Sequence, residues 1–171
     1  MNRNLYVVMG ITGSGKSTVG ATLARTLGVD FVEGDDYHPR ENVRRMASGI
    51  SLTDDDRAGW LRALATRIRE AKDAGAGLVL TCSALKRSYR DVLRTAAPEL
   101  RFVFLTGPRA LIAKRLAGRR GHFMPASLLD TQLATLEEPA NDEQAWTYDI
   151  REPAQKIVDD VVARASARAS V

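Results

Sequence analysis

Cysteine and histidine are scarce in this chain of 171 residues, and their scarcity excludes two kinds of structure. With Cys82 as the only cysteine, no intramolecular disulfide can form, which favours a reducing compartment. The two histidines, His38 and His122, are too few to complete a zinc site with it. We therefore expect a cytoplasmic protein without a zinc centre.

Long apolar segments are also missing. No run approaches the roughly 20 apolar residues that a membrane-spanning helix needs. The apolar run nearest the N-terminus, residues 5–9, is too short for a signal peptide, and no cleavage site follows it. We expect no membrane partner.

Blocks of a single charge sign are absent, although the net charge is +4 and the pI is about 9.5. Acidic residues are interleaved with the basic ones, and no basic run exceeds two residues. A nucleic-acid-binding surface normally gathers lysine and arginine into a patch or stripe. We therefore expect no nucleic acid partner, and we attribute the positive charge to the handling of small anions.

Short apolar runs alternate with longer amphipathic segments. The runs that predict strands are 5–9, 31–32, 78–82, 102–105 and 146–150. The segments that predict helices are 16–27, 41–47, 55–74, 86–96, 109–117, 127–136 and 154–169, with a tail from Ala163 that we expect to fray. This alternation predicts an α/β fold, a three-layer sandwich with a parallel sheet of about five strands. The length suits a single domain over residues 1–171.

A phosphate-binding motif is the strongest signal in the sequence. Residues 10–17 fit G-x-x-x-x-G-K-[ST], and they lie between a predicted strand and a predicted helix. The motif predicts a P-loop NTPase fold that binds ATP and Mg²⁺, with Lys16 reaching the β and γ phosphates and Ser17 as the metal ligand. The expected nucleotide-binding residues here are Gly10, Thr12, Gly13, Ser14, Gly15, Lys16, Ser17 and Thr18.

Acidic residues follow the second predicted strand, where an α/β sheet places its ligands. The third strand ends without a Walker-B acid, and no Asn-Lys-x-Asp motif is present, which disfavours a motor or a GTPase. We expect Asp35 to orient the acceptor hydroxyl and take its proton, with Glu33 as the next candidate. The alternative, a solvated loop or a helix cap, is open for Asp35 and favoured for Asp36.

Several motifs span most of the chain. They are Gly34-Asp35-x-x-His38-Pro39, Asn42, Met46-Ala47-Ser48-Gly49, Leu52-x-Asp54-Asp55-Asp56-Arg57, Trp60-Leu61, Cys82-Ser83-Ala84-Leu85-Lys86, Tyr89-Arg90-Asp91, Arg115-Leu116, Arg119-x-Gly121-His122-Phe123 and Gln132-x-x-x-Leu136-Glu137-Glu138-Pro139. This pattern resembles the gluconokinases of the P-loop type. The resemblance implies transfer of phosphate from ATP to D-gluconate, a nucleoside-monophosphate-kinase-like fold and a homodimer.

Gluconate carries a carboxylate and several hydroxyl groups, so its site needs cations and hydrogen-bonding groups. Lys86 and Arg90 lie four residues apart on one predicted helix face, and we expect them to converge on the carboxylate. The other candidate substrate-binding residues are His38, Arg45, Arg57, Arg120, His122 and Gln132. For each cation taken singly, a surface ion pair or a helix cap is an equal alternative.

A mobile lid is expected over residues 115–139. Arg115, Arg119, Arg120 and His122 lie at a predicted helix end and in the turn after it, which resembles the lid of small P-loop kinases. Arginines on a closing lid neutralise the transferring phosphates, so we expect Arg115 to be catalytic and Arg119 to bind nucleotide. The alternative is a basic helix end that complements the helix dipole.

Two rival functions remain open from the sequence. The first is another small P-loop kinase, acting on shikimate or a nucleotide. The second is a nucleotide-dependent regulatory or nucleic-acid-binding module, supported only by the net charge and the phosphate loop.

Overall fold

The structure is a computed structural model that describes residues 4–119 and 126–170. Its strands are β1 Leu5–Met9, β2 Asp30–Glu33, β3 Leu78–Thr81, β4 Arg101–Thr106 and β5 Ala145–Asp149. Its helices are α1 Lys16–Leu27, α2 Arg40–Ala47, α3 Asp54–Asp73, α4 Arg87–Arg94, α5 Arg109–Ala117, α6 Ala126–Thr135 and α7 Ala154–Ala169. Two short 3-10 helices cover Gly34–Tyr37 and Asn141–Glu143.

The five strands form one parallel sheet in the order β2-β3-β1-β4-β5. The central strands β1 and β3 are buried along their whole length, because helices cover both faces of a parallel sheet. With right-handed crossovers, this order places α1 on one face and α3, α4 and α5 on the other. The last helix, α7, packs against α1. The predicted α/β class and the parallel five-stranded sheet are confirmed.

Local signals set several element ends. Gly28 closes α1 with φ 66°, and its N–H bonds the carbonyl of Arg25. Thr53 and Asp56 form the reciprocal capping box that begins α3. The bounds of α1, α5 and α7 agree with the sequence prediction, whereas both 3-10 helices were missed. The tail expected to fray from Ala163 is helical as far as Ala169.

The carboxyl ends of β1, β2 and β3 lie at one edge of the sheet. The segments that follow these strands, which are the phosphate loop, the segment after Glu33 and the segment after Thr81, therefore lie at the same edge. The close fit there depends on Gly34, because a Cβ at this position would lie 1.9 Å from the carbonyl oxygen of Thr81. No helix within residues 4–119 and 126–170 has the length and apolarity needed to cross a membrane.

Candidate active site

The phosphate loop joins β1 to α1. Its three glycines, Gly10, Gly13 and Gly15, have φ angles of 147°, 78° and 94°, in the region that L side chains rarely adopt. A Cβ at Gly10 would also lie 2.6 Å from the carbonyl oxygen of Leu105. Because α1 begins at Lys16, the N–H groups of its first turn are available to an anion at the loop.

Lys16 is held within the loop rather than in an ion pair. Its ammonium group donates to the carbonyl of Ile11 at 3.1 Å, and no carboxylate of the described chain lies within ion-pair distance. Burial lowers the pKa of Lys16, and the charges of Asp35, Cys82 and Glu33 partly oppose that shift. Keeping this desolvated cation charged therefore costs free energy, and an ATP phosphate would neutralise the charge.

Glu33, at the end of β2, connects the phosphate loop to the end of β3. It accepts a hydrogen bond from the Ser17 hydroxyl at 2.7 Å and another from the Thr81 hydroxyl at 2.5 Å. Thr81 in turn accepts from the N–H of Gly34 at 3.1 Å. The sequence suggested Glu33 only as a second choice of base. The sequence signal that indicates this contact is an acidic residue at the end of β2 and a hydroxyl residue at the end of β3, two neighbouring parallel strands.

The residues around Ser17 fit the Mg²⁺ that the motif implies. A hydroxyl and a carboxylate are hard oxygen donors of the kind that Mg²⁺ binds. The described parts of the chain contain no group of three or more His, Cys, Asp or Glu side chains arranged to hold a metal ion. This agrees with a magnesium that takes most of its ligands from substrate phosphates and water.

A pocket opens beside Lys16. It is lined by side chains from the phosphate loop, the second-strand loop, α3 and α6, including Thr12, Lys16, Asp35, His38, Arg57, Trp60 and Gln132. The Asp35 side chain is 69% exposed, so a ligand in the pocket can reach its carboxylate. The pocket thus brings together six predicted site residues: Thr12, Lys16, Asp35, His38, Arg57 and Gln132.

Arg57, a second cation that lines the pocket, has a guanidinium donor without a partner in the protein. Its Nε is buried without a hydrogen-bond partner, and no carboxylate within the described ranges forms an ion pair with it. Its guanidinium lies 5.4 Å from the centre of the Tyr89 ring, which supports the group without using its donors. A buried unpartnered guanidinium donor is costly unless an anion binds it.

The predicted convergence of Lys86 and Arg90 on a ligand is wrong. Arg90 is fully buried and makes a bidentate ion pair with Glu143, at 2.6 and 3.1 Å. Its remaining nitrogen donates to the carbonyls of Ala84 and Leu85 at 2.8 and 3.3 Å. With its donors taken by the protein, Arg90 stabilises the loop after β3 and does not face a ligand.

Lys86 and Arg45 are engaged in more exposed ion pairs. Lys86 precedes α4 as its N-cap residue, and its ammonium group lies 3.1 and 3.3 Å from the two oxygens of Asp54. Arg45 lies 3.5 Å from both Glu41 and Asp56. Neither lines the pocket beside Lys16.

A second, larger pocket also borders the phosphate loop. Gly13, Gly15 and Thr18 line it together with Arg115, Arg119 and the segment 150–154. Arg115 donates to the carbonyl of Ile150 at 2.7 Å, which links α5 to the loop after β5. The predicted residues Arg120 and His122 lie outside the described residues.

Gln132 connects α6 to the phosphate loop. Its side-chain oxygen accepts from the N–H of Thr12 at 2.8 Å. The contact joins the segment expected to form the lid to the loop expected to bind phosphate. It therefore places Gln132 between the phosphate loop and the pocket beside Lys16.

The chain is similar to proteins of known name over most of its length. The AAA domain family model matches residues 5–139. A gluconokinase of Gluconobacter oxydans is 54% identical over 80% of this chain and 77% of its own length. The thermoresistant gluconokinase of Escherichia coli is 41% identical over 94% and 93%. The crystal structure of a gluconokinase from Sinorhizobium meliloti, 49% identical, superposes with a TM-score of 0.85 and covers 94% of this chain and 90% of that one.

Proposed function

The chain belongs to the gluconokinase family, and we infer that it transfers the γ-phosphate of ATP to D-gluconate, giving ADP and 6-phospho-D-gluconate. One observation in the structure supports this function above the others. A single pocket joins a phosphate-loop lysine, an accessible carboxylate and an arginine with an unused buried donor. The lysine suits a phosphate, the accessible carboxylate suits an acceptor hydroxyl, and the arginine suits the carboxylate of a sugar acid.

The nucleotide half of the reaction uses the phosphate loop. The N–H groups at the start of α1 and the Lys16 ammonium group bind the β and γ phosphates. The Ser17 hydroxyl would hold Mg²⁺, with Glu33 keeping that hydroxyl in place through the 2.7 Å bond. The ion supplies positive charge against the negative charge of the transferring phosphate.

The acceptor half uses Asp35 and Arg57. Asp35 orients the acceptor hydroxyl and takes its proton while the new oxygen–phosphorus bond forms and ADP leaves. Arg57, whose guanidinium group lines the pocket without a carboxylate partner among the described residues, binds the gluconate carboxylate. Fixing both ends of the linear substrate places the hydroxyl in line with the γ-phosphate.

The lid remains part of the proposal. Arg115 and Arg119 line the larger pocket, and their guanidinium groups would meet ATP phosphates when the segment 115–139 closes. Arg120 and His122, together with Gln132, are proposed to complete the acceptor side of the closed site. A homodimer stays in the proposal because of the family resemblance. A cytoplasmic location stays because of the scarcity of cysteine, and a single domain over residues 1–171 because of the chain length.

A panel of acceptors tests the function. ADP release is measured with D-gluconate, shikimate and nucleoside monophosphates at equal concentration, in the presence of Mg²⁺. D-gluconate should give the highest kcat/KM, and phosphorus NMR should show a new phosphate monoester. Asp35→Asn is the matched variant, and it should lower kcat far more than ATP binding.

Three results would contradict the proposal in different ways. A higher kcat/KM with shikimate or a nucleotide would assign another small-molecule kinase. No turnover with any acceptor, together with strongly salt-dependent nucleic acid binding, would assign a regulatory module. A normal kcat in Asp35→Asn would show that another residue is the base, and it would not contradict D-gluconate as the substrate.

A further inference from the structure

His38 is held against the segment that carries Asp35. Its ring stacks on the indole of Trp60, with centroids 3.9 Å apart and an interplanar angle of 18°. The Trp60 indole N–H donates to the carbonyl of Gly34 at 2.8 Å. One buried indole thus fixes both the plane of the His38 ring and the backbone immediately before Asp35.

The orientation of the Asn42 amide is fixed by a backbone acceptor. Its Nδ2 lies 2.8 Å from the carbonyl oxygen of Asp56, which can only accept a hydrogen bond. The reversed amide would place two oxygens against each other, so the nitrogen must occupy this position. The same NH₂ group lies 3.3 Å from His38 Nδ1, and it has a second hydrogen to donate.

These contacts determine the tautomer of His38. Because Asn42 donates to Nδ1, that nitrogen is the acceptor, and the single proton of the neutral ring is on Nε2. Burial lowers the pKa of His38; the charge of Asp35 opposes this shift and that of Arg57 adds to it. The neutral Nε2–H form is therefore the one that the surroundings favour.

The Nε2 atom lies 4.0 Å from Oδ1 of Asp35. The His38 side chain is only 4% exposed, whereas that of Asp35 is 69% exposed. A substrate in the pocket therefore has ready access to the carboxylate and very little access to the ring. This contrast argues against His38 as a direct gluconate ligand, the role suggested by the sequence.

We propose that His38 is a positioning residue, whose Nε2–H donates to Asp35 Oδ1 when the carboxylate moves about 1 Å closer to reach hydrogen-bonding distance. The bond stops rotation of the carboxylate and leaves Oδ2 to take the proton of the acceptor hydroxyl. The chain of contacts runs from the Asp56 carbonyl through Asn42 and His38 to Asp35. This inference rests on the proposed role of Asp35 in gluconate phosphorylation.

Two substitutions separate positioning from packing. Gln at position 38 places an N–H donor near the position of Nε2, whereas Asn places its donor near the position of Nδ1. Both remove the ring from Trp60, so a packing role predicts that the loss of kcat in each variant follows its loss of melting temperature, whereas a positioning role predicts a kcat loss in His38→Asn that its melting temperature does not explain. We expect His38→Asn to lower kcat about 10- to 100-fold, the range typical of groups that orient a functional side chain, with the gluconate KM changed less than about 3-fold. His38→Gln should retain kcat within about 3-fold of the wild type.

The tautomer is measured directly by nitrogen NMR of the full chain labelled at histidine. The chain has two histidines, and the signals lost in His38→Gln identify those of His38. Near pH 8 the wild type should show a protonated Nε2 and an unprotonated Nδ1. A protonated Nδ1 would overturn the proposal, and this result does not depend on any activity.

The kinetic outcomes are equally decisive. Losses of kcat that follow the losses of melting temperature in both variants would reduce His38 to a packing role. A rise in gluconate KM with normal kcat would make it a substrate ligand. Failure of the wild type to phosphorylate gluconate would overturn the proposed function instead, and the tautomer measurement would still report on the contact with Asn42.

Discussion

Two arginines in different regions of the molecule differ in whether their N–H donors are hydrogen-bonded within the protein. Arg90 lies under the loop after β3, fully buried, and all its nitrogens are bonded to Glu143 or to backbone carbonyls. Arg57 lines the pocket beside Lys16, is half-buried, and has a buried Nε without a partner. Burial alone therefore does not mark a functional arginine. An unused buried donor beside an accessible pocket is the better indicator.

The two regions also differ in whether their cations are paired with a carboxylate of the protein. In the cluster of Arg90, Arg94 and Glu143, the ionised carboxylate receives bonds from both guanidinium groups, at 2.6, 3.1 and 2.9 Å. Removing one partner of such a buried pair leaves the other without compensation. At the pocket, Arg57 and Lys16 have no carboxylate partner in the described residues, so their removal should reduce ligand binding and catalysis without weakening the fold.

The largest effect that tests this contrast is expected for Arg90→Met. Glu143 would stay buried with Arg94 and the Ala140 N–H as its remaining partners, and the free energy of unfolding should fall by about 3 kcal/mol or more. The measurement is urea denaturation without ligands. The double variant Arg90→Met, Glu143→Leu should recover most of the loss, because neither charge then remains. An unchanged stability with a raised gluconate KM would return Arg90 to the active site.

Lys16→Met should have the opposite profile. The phosphates lose a positioned cation, and kcat should fall by about 10²- to 10³-fold. Because burial already disfavours the charged form of Lys16, the melting temperature without ligands should stay equal or rise. Turnover within a few-fold of the wild type would contradict the assignment of the phosphate loop.

Acid pH should weaken the Arg90 region selectively. Burial raises the pKa of Glu143, but bonds from Arg90, the Ala140 N–H and Arg94 outweigh this and lower it to about 2. A carboxyl group whose pKa is lower in the folded state stabilises the fold above its unfolded value, here 4.5, and this stability is lost as the pH falls towards 2. Urea midpoints measured from pH 5 to pH 2.5 should fall more steeply for the wild type than for Arg90→Met, Glu143→Leu. Parallel slopes would show that other carboxylates govern the acid transition.

Arg57→Met should affect binding more than stability. Charge-assisted hydrogen bonds contribute about 1.5–3 kcal/mol, so the gluconate KM should rise about 10- to 100-fold, with ATP affinity unchanged. Arg57→Lys is the matched control, and it should recover part of the loss because charge is kept while the planar donor set is not. A gluconate KM near that of the wild type in both variants would place the carboxylate at another cation.

The sequence predicted the parts of this site that depend on neighbouring residues. The phosphate loop, the start of α1 at Lys16 and the capping box of Thr53 and Asp56 are each set within a few residues. The contacts of the arginines are not. Arg90 meets a glutamate 53 residues away, in a 3-10 helix that periodicity did not predict.

Helix spacing was also misleading for Lys86. Four residues from Arg90, it was expected on the same helix face, but the helix begins only at Arg87. Its true neighbour, Asp54, is 32 residues away at the start of α3. Likewise, the bond from Ser17 to Glu33 joins two elements through the order of the strands, which the sequence does not reveal locally.

Lys86→Met is expected to have the smallest effect and sharpens the rule most. Its ammonium group forms an ion pair with Asp54, whose side chain is 65% exposed, and exposed ion pairs contribute little to the free energy of folding. The gluconate KM and the melting temperature should therefore stay close to those of the wild type, with KM changed less than about 3-fold. Asp54 keeps the hydrogen bond from the Tyr89 hydroxyl, so it does not lose its last partner. The control is Asp54→Asn, which frees Lys86 from its ion pair. If Lys86 were a gluconate ligand, Lys86→Met would raise KM about tenfold or more while Asp54→Asn would lower it. An ion pair within the protein would then not exclude a contact between Lys86 and the substrate.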